Sequence, residues 1–290
     1  MEKTWTVLDI LNWTINYLDK KNIEESKYKT ELLLSHVLKL KRFDLYLNFD
    51  RPLFKQERDS FKELLNRLIK NEPIQYILGK WEFYGYDFIV NKNVLIPRRE
   101  TEELVEKVIE YLISLDNKKL NILDVGTGSG AIIISLYLEL KKKLNNDDFK
   151  KLNFTAVDIS EKALNVAIEN AKLNNIDDIN FIKSDLLCEL ENNIDILISN
   201  PPYVSLSEYN NLKKELFFEP QNAITDNKDG LYFYNKLINS IMERDIKKSF
   251  FEIGYNQKED LIKICKQNKI NNFNFHKDLS GNYRILEISK

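Results

Sequence analysis

Glycine and proline are scarce in this chain. Its 290 residues hold 8 Gly and 6 Pro, where average usage would supply about 20 and about 15. A chain with so little punctuation is mostly helix and strand, so each Gly or Pro it keeps has a local reason. Three of the glycines, Gly126, Gly128 and Gly130, fall within five residues, and two of the prolines, Pro201 and Pro202, are adjacent. Cysteine is scarcer still: Cys188 and Cys265 are the only two. That excludes a disulfide framework and a cysteine-rich zinc site, and it fits a reducing cytosol. An excess of one charge is also missing. The 43 Lys and Arg nearly balance the 45 Asp and Glu, for a net charge of −2, so the global basic field of a nucleic-acid binder is absent. No run approaches the roughly 18 apolar residues that span a membrane. The opening Met1-Glu2-Lys3-Thr4-Trp5 lacks the apolar stretch of a secretory signal. The expectation is a cytoplasmic protein, monomeric by default, with no membrane partner, no direct nucleic-acid partner and no metal. Hydrophobic residues at 43% and charged residues at 30% exclude a disordered chain. The length suits one large domain or two smaller ones.

What is present divides the chain. Over residues 1–72 apolar residues recur at helical spacing: Val7, Ile10, Leu11, Thr14, Ile15 and Leu18, then Leu32, Leu33, Leu34, Val37 and Leu38, then Phe61, Leu64, Leu65, Leu68 and Ile69. This predicts a small domain of four or five helices, with Trp5, Trp13 and His36 as packing residues. Aromatic and β-branched residues flank Gly85 over 81–90, a hairpin signal, and 73–96 reads as a connector. A helix follows over about 101–115. From residue 119 short apolar strands alternate with helices: strands at 122–125, 154–157, 181–182, 194–198 and 249–253, a helix over 131–140, and a helix to about Leu173 that Ser160 would cap. Lys141-Lys142-Lys143 and Asn145-Asn146-Asp147-Asp148 read as a solvated helix end and loop. Strands near 273–275 and 283–288, joined by Ser280-Gly281-Asn282, would form a closing hairpin. This order predicts an α/β domain over 97–290, built from right-handed βαβ units on a mostly parallel sheet with an antiparallel edge.

In such a sheet ligands bind at the carboxyl ends of the strands. There the first βα turn reads Asp124-Val125-Gly126-Thr127-Gly128-Ser129-Gly130. Glycines let the backbone approach a ligand closely, and the helix that follows offers free N–H groups. Asp158 ends the second strand, where a carboxylate can accept from ribose hydroxyls. Ser184-Asp185-Leu186 ends the third, suited to the edge and face of an adenine. The loop also satisfies the loose dinucleotide pattern. Three alternate glycines behind an acid lean instead to S-adenosylmethionine, whose tail carries an ammonium and a carboxylate and no pyrophosphate. Asn200-Pro201-Pro202-Tyr203 follows the fourth strand. Two prolines cannot continue a ladder, so they fix a rigid turn with free carbonyls. The Asn200 side-chain oxygen and the Pro201 carbonyl would hold a planar –NH₂ by both hydrogens, with Tyr203 on its flat face. Two acceptors orient the poorly nucleophilic nitrogen and draw density toward it, which is catalysis by positioning and local electrostatics. No strong base is required, and His276 reads as a surface residue.

With these motifs the chain resembles the class I S-adenosylmethionine methyltransferases, and more narrowly the HemK/PrmC family of release factor glutamine methyltransferases. The likeness runs through 73–79, 82–85, 94–98, 124–130, 200–203, Glu219-Pro220, Asp229-Gly230-Leu231 and Glu252-Ile253-Gly254. It implies a Rossmann-like, mostly parallel seven-stranded sheet joined by a β-hairpin to a helical N-terminal domain that helps dock the substrate. It implies that Gly126, Thr127, Gly128, Ser129 and Gly130 hold the methionine end of the cofactor and that Asp158 binds the ribose. Asp185 and Leu186 would lie by the adenine. Asn200 would touch both cofactor and substrate, and Pro201, Pro202 and Tyr203 would complete the pocket for a glutamine. That glutamine belongs to the Gly-Gly-Gln loop of peptide chain release factors and would be methylated at N5. Two positions depart from the family pattern: Arg99 stands where a Pro is usual, and Leu186 where many relatives carry an aromatic. Other readings of the motifs are a methyltransferase for amino groups of adenine or guanine in nucleic acid, a non-catalytic nucleotide-binding partner of the translation machinery, and an NAD-dependent oxidoreductase.

Overall fold

The computed structural model describes residues 4–115 and 119–290, which leaves Met1, Glu2 and Lys3 of the opening sequence outside. The chain folds as two compact units. One comprises Met1–Gly79 together with Lys214–Phe218, the other Lys80–Lys213 together with Glu219–Lys290.

The first unit is helical, with α-helices at Val7–Lys20, Ser26–Leu38, Lys55–Leu68 and Ile74–Leu78 and a 3₁₀ turn at Arg42–Leu45. Thr6 and Asp9 form a reciprocal capping box that starts the first helix. The apolar stripes meet in one core built on Val7, Leu18, Leu33, Leu34, Leu45 and Phe61. Trp13 stacks on Tyr17 with ring centroids 5.1 Å apart, half exposed rather than in the core, and His36 is exposed. Lys29, nearly buried, pairs at 3.1 Å with Glu215 of the returning segment.

The second unit opens with the hairpin of β1 (Lys80–Phe83) and β2 (Tyr86–Ile89). The predicted connector 73–96 is thus divided: Ile74 and Ile77 are buried in the helical core, Phe83 and Phe88 in the core beneath the sheet. Seven further strands follow: β3 (Leu120–Val125), β4 (Leu152–Asp158), β5 (Ile179–Lys183), β6 (Ile196–Ser199), β7 (Lys248–Glu252), β8 (Phe273–Lys277) and β9 (Tyr283–Ser289). They form one sheet in the order β5-β4-β3-β6-β7-β9-β8. Its first five strands are parallel, and β9 pairs antiparallel with both β7 and β8. This is the predicted class I architecture. The inner strands are apolar runs because helices bury both faces; every residue of β6 and β7 is buried. Strand order reverses between β3 and β6, so the chain leaves these neighbours toward opposite edges and opens a crevice at their carboxyl ends. In register, Val125 faces Ser199, whose hydroxyl donates to the Val125 carbonyl at 2.7 Å.

Asn170, fully buried, fixes the hairpin to the sheet unit. Its Oδ1 accepts from the Ile89 N–H at 2.6 Å, and its Nδ2 donates to the carbonyls of Ile89 and Ser129. Ser160 caps the helix Glu161–Leu173 as predicted, accepting from the Ala163 N–H. Three local expectations change. Asn146–Phe149 is a short helix rather than a loop, because Asn145 caps it through the Asp148 N–H. The fourth parallel strand starts at Ile196, and Asp195 just before it gives its carboxylate to the Asn121 N–H and to Lys247. His276 is no bare surface group: half-buried, it bonds at 2.5 Å to Glu287, which also pairs with Lys248. Among the described residues no helix is long and apolar enough to cross a membrane.

Candidate active site

The crevice at the carboxyl ends of β3, β4 and β6 holds a cavity of about 240 Å³. Gly126 and Gly128 form part of its wall, with Val157, Asp158, Ile159, Ser160 and Ala163 from β4 and the start of the next helix. Ser184, Asp185 and Leu186 contribute from the end of β5, and Asn200, Pro201 and Pro202 from the end of β6. Thr127, Ser129, Gly130 and Tyr203, expected at the ligand, are not in this wall. Thr127 spends its hydroxyl on Asp124 at 2.7 Å, and Ser129 gives its carbonyl to Asn170. A Cβ on Gly130 would meet Ile134 and Ala167, so that glycine serves helix packing.

The loop after β3 is pinned by its own backbone. The N–H groups of Gly126 and Thr127 donate to the Val157 carbonyl at 2.9 and 3.0 Å. Asp158 accepts from Gly128 N–H on one oxygen and Ser160 N–H on the other, each at 2.9 Å. Burial pushes its carboxyl above the usual range, and those backbone donors oppose the shift. Behind the loop, Asp124 is wholly buried and its Oδ1 has no hydrogen-bond partner. Burial pushes the Asp124 carboxyl up to about 7; the Thr127 hydroxyl opposes this, the nearby Asp158 adds to it, and the Ile133 N–H at the start of the next helix opposes it. A buried carboxyl with a spare oxygen, exposed glycine backbone and a largely aliphatic slot suit a ligand with a cationic tail and a flat apolar end. Leu186 covers part of that slot in the left-handed region at φ 53°, its carbonyl held by the Ser184 hydroxyl. Asp185 is exposed.

At the end of β6 the Asn-Pro-Pro turn is held from three sides. Asn200 Nδ2 donates to Thr101 Oγ1 at 3.2 Å, and that hydroxyl donates to Glu252 Oε2 at 2.6 Å. The Tyr203 hydroxyl reaches Glu252 Oε1 at 3.4 Å, so the ring turns to the sheet side of the turn. Gln257 Nε2 donates to the carbonyls of Tyr203 and Gly230, both at 3.0 Å, while its Oε1 accepts from Gly254 N–H. Gly230, at φ 82°, packs so closely that an added Cβ would lie 2.3 Å from the Tyr203 carbonyl oxygen. Asp226 gathers the N–H groups of Lys228, Gly230 and Tyr232 around this contact. Glu219 joins two more segments: it accepts from Ile96 N–H at 2.9 Å and pairs with Arg98 at 2.6 Å.

Sequence reasoning did not assign roles to Thr101, Glu219, Asp226, Glu252 or Gln257. Glu219, Glu252 and Gly230 lie within stretches that carry the family likeness, which was a signal without a mechanism. Thr101 lies in a stretch, 97–102, that follows the family pattern but for Arg99, again a signal without a mechanism, and Gln257 gave none, because the two carbonyls it holds are 27 and 54 residues away.

The comparisons fit this geometry. A family model described as the methyltransferase small domain matches residues 104–264, more than half of the chain. The chain is thus a methyltransferase, with S-adenosylmethionine as its cofactor. A second family model, the PrmC N-terminal domain, matches residues 9–79. A release factor glutamine methyltransferase of Fusobacterium nucleatum is 40% identical over 289 residues, covering 98% of this chain and 78% of that protein. Another from Leptospira interrogans is 36% identical across the whole of both chains, and one from Rhodopirellula baltica is 35% identical over 99% of this chain and 97% of its own. The chain belongs to the release factor glutamine methyltransferase family.

Proposed function

We propose that this chain transfers the methyl group of S-adenosylmethionine to the side-chain nitrogen, N5, of the glutamine in the Gly-Gly-Gln loop of peptide chain release factors, in the cytoplasm. The observation that carries the reading is that Asn200, Pro201 and Pro202 share one cavity wall with the glycine loop and Asp158. A planar amide nitrogen held by that turn would lie beside a cofactor held by that loop.

Asp158 would take the ribose, the backbone of Gly126 and Gly128 the methionine end with Asp124 behind it, and Asp185 and Leu186 the adenine. Thr127, Ser129 and Gly130 would shape the loop from outside the wall. The cofactor, when bound, supplies an electrophilic methyl carbon. The chain's own task is the nitrogen. Asn200 Oδ1 and the Pro201 carbonyl accept its two hydrogens and aim its lone pair; Pro202 and Tyr203 complete the turn. The carbon–nitrogen bond would form as the carbon–sulfur bond breaks with its electron pair left on sulfur, and the nitrogen would then give up one proton to water. No strong base is needed, since that proton becomes acidic only as the bond forms. The helical unit would help dock the protein substrate, while the sheet unit, whose residues from Asn93 to Leu237 line the cavity, would carry the chemistry.

Incubation with methyl-labelled S-adenosylmethionine and a purified release factor tests this. The label is expected on the Gly-Gly-Gln peptide, at the glutamine side chain by fragmentation mass spectrometry. Label on rRNA or DNA with none on the release factor would overturn the reading.

A further inference from the structure

We infer that Thr101 and Glu252 are positioning residues that decide which end of the Asn200 side-chain amide faces the cavity. The inference rests on the acceptor role proposed for Asn200. An asparagine amide is nearly symmetric in shape and opposite in polarity at its two ends. Turned one way, it offers an oxygen to a substrate –NH₂. Turned the other, it offers two N–H donors that repel that group. The Asn-Pro-Pro turn fixes where the amide sits but not which end points inward.

The polarity is imposed from behind. A threonine hydroxyl has a single proton. Oγ1 of Thr101 lies 2.6 Å from Glu252 Oε2, and an ionised carboxylate only accepts, so the Thr101 proton goes to Glu252. Oγ1 is then left with lone pairs for its other neighbour, Asn200 at 3.2 Å. Asn200 must therefore donate from Nδ2, and its Oδ1 is the end left for the substrate. The relay is sheltered: Thr101 is 5% exposed and Glu252 1%. It is also braced. The Tyr234 hydroxyl holds the Glu252 carbonyl at 2.7 Å, and the Tyr203 hydroxyl meets the second carboxylate oxygen. One negative charge, two bonds from Asn200, thus becomes an oriented acceptor.

The same relay reverses when Glu252 takes a proton. Its O–H can then donate to Thr101, whose own proton turns toward Asn200 and favours the wrong end of the amide. Burial pushes the Glu252 carboxyl up to about 7; the Thr101 hydroxyl, Arg284 on β9 and the Tyr203 hydroxyl oppose this, and Glu100 adds to it. Turnover at saturating substrates should therefore fall as pH drops through about 7.

The experiment measures kcat, KM for a release factor, cofactor Kd by calorimetry and melting temperature for the wild type, Thr101→Val, Thr101→Ser and Glu252→Gln. Thr101→Val is expected to lower kcat roughly 10- to 100-fold, the scale on which misorientation costs rate. Cofactor Kd should stay within about twofold, and the loss should fall mainly on kcat and less on KM, as for an interaction that matters most in the transition state. Thr101→Ser keeps the hydroxyl and should recover most of the rate. The acid limb of kcat should shrink in Glu252→Gln, where Asp124 is the one of these two raised carboxyls that remains. The inference is overturned by wild-type kcat in Thr101→Val, by Thr101→Ser as slow as Thr101→Val, or by an acid limb unchanged in Glu252→Gln. Should Thr101→Val fail to fold, the serine variant and the Glu252→Gln profile decide alone. A wild type that leaves the release factor unmethylated overturns the proposed function and this inference together; an active wild type with an unaffected Thr101→Val overturns only the inference.

Discussion

Asp124 and Glu252 are both buried, and burial raises both carboxyls to about 7. In the unfolded chain such groups titrate near about 4. Between those values the folded state binds more protons than the unfolded state, so stability declines with rising pH. The stabilisation is complete below about pH 4 and is lost as pH climbs to about 7. Urea unfolding of the ligand-free protein is expected to show this fall, and Glu252→Gln should flatten it by removing one of the two groups. A stability that rises between pH 5 and 7 in the wild type, or an unchanged slope in the variant, would contradict the assignment. At this scale the sequence exposed residues whose type alone is unusual for their place: the clustered glycines, the paired prolines, and Asp158 at a strand end. It concealed those whose meaning is a partner. Glu252 reads as one more acid after an apolar run until Thr101 and Asn200 are brought against it.

The elements were legible where one residue dictates a boundary. Ser160 announces the helix Glu161–Leu173, and the Pro201-Pro202 pair follows the end of β6. They were illegible where short segments depend on caps or tertiary support, as at Asn146–Phe149, Leu206–Tyr209 and Gln221–Ile224. Four residues bury too little to leave a periodic pattern. The contact between Gly230 and the Asn-Pro-Pro-Tyr turn belongs to this scale. Gly230→Ala would combine a strained backbone with a Cβ pressed on the Tyr203 carbonyl, a cost of about 2–4 kcal/mol. Because backbone must move to relieve it, methyl transfer should fall along with the urea midpoint. Native stability in that variant would show that the two loops are not in firm contact.

For the whole molecule, the alternation of strand and helix made the mostly parallel sheet and its antiparallel edge predictable, because handedness leaves few topologies. The division of the chain was less legible, since no composition shift marks 214–218 as part of the helical unit. Every residue lining the cavity lies between Asn93 and Leu237 and outside 214–218. A chain of residues 80–290 is therefore expected to bind S-adenosylmethionine within about threefold of the full protein, or about 0.7 kcal/mol. Calorimetry on both checks this. A loss of binding in a folded fragment would mean that the helical unit shapes the cofactor site.

The segment Lys214–Phe218 also sets a schedule. About 130 residues separate it from Gly79, where the rest of the helical unit ends. At about 5–20 residues per second, a ribosome needs about 7–26 s more to make that last piece. Through that interval the nascent helices lack the Glu215 carboxylate that meets Lys29. The first unit to emerge is thus completed late, and its final contact is made only after β3 to β6 have been synthesised.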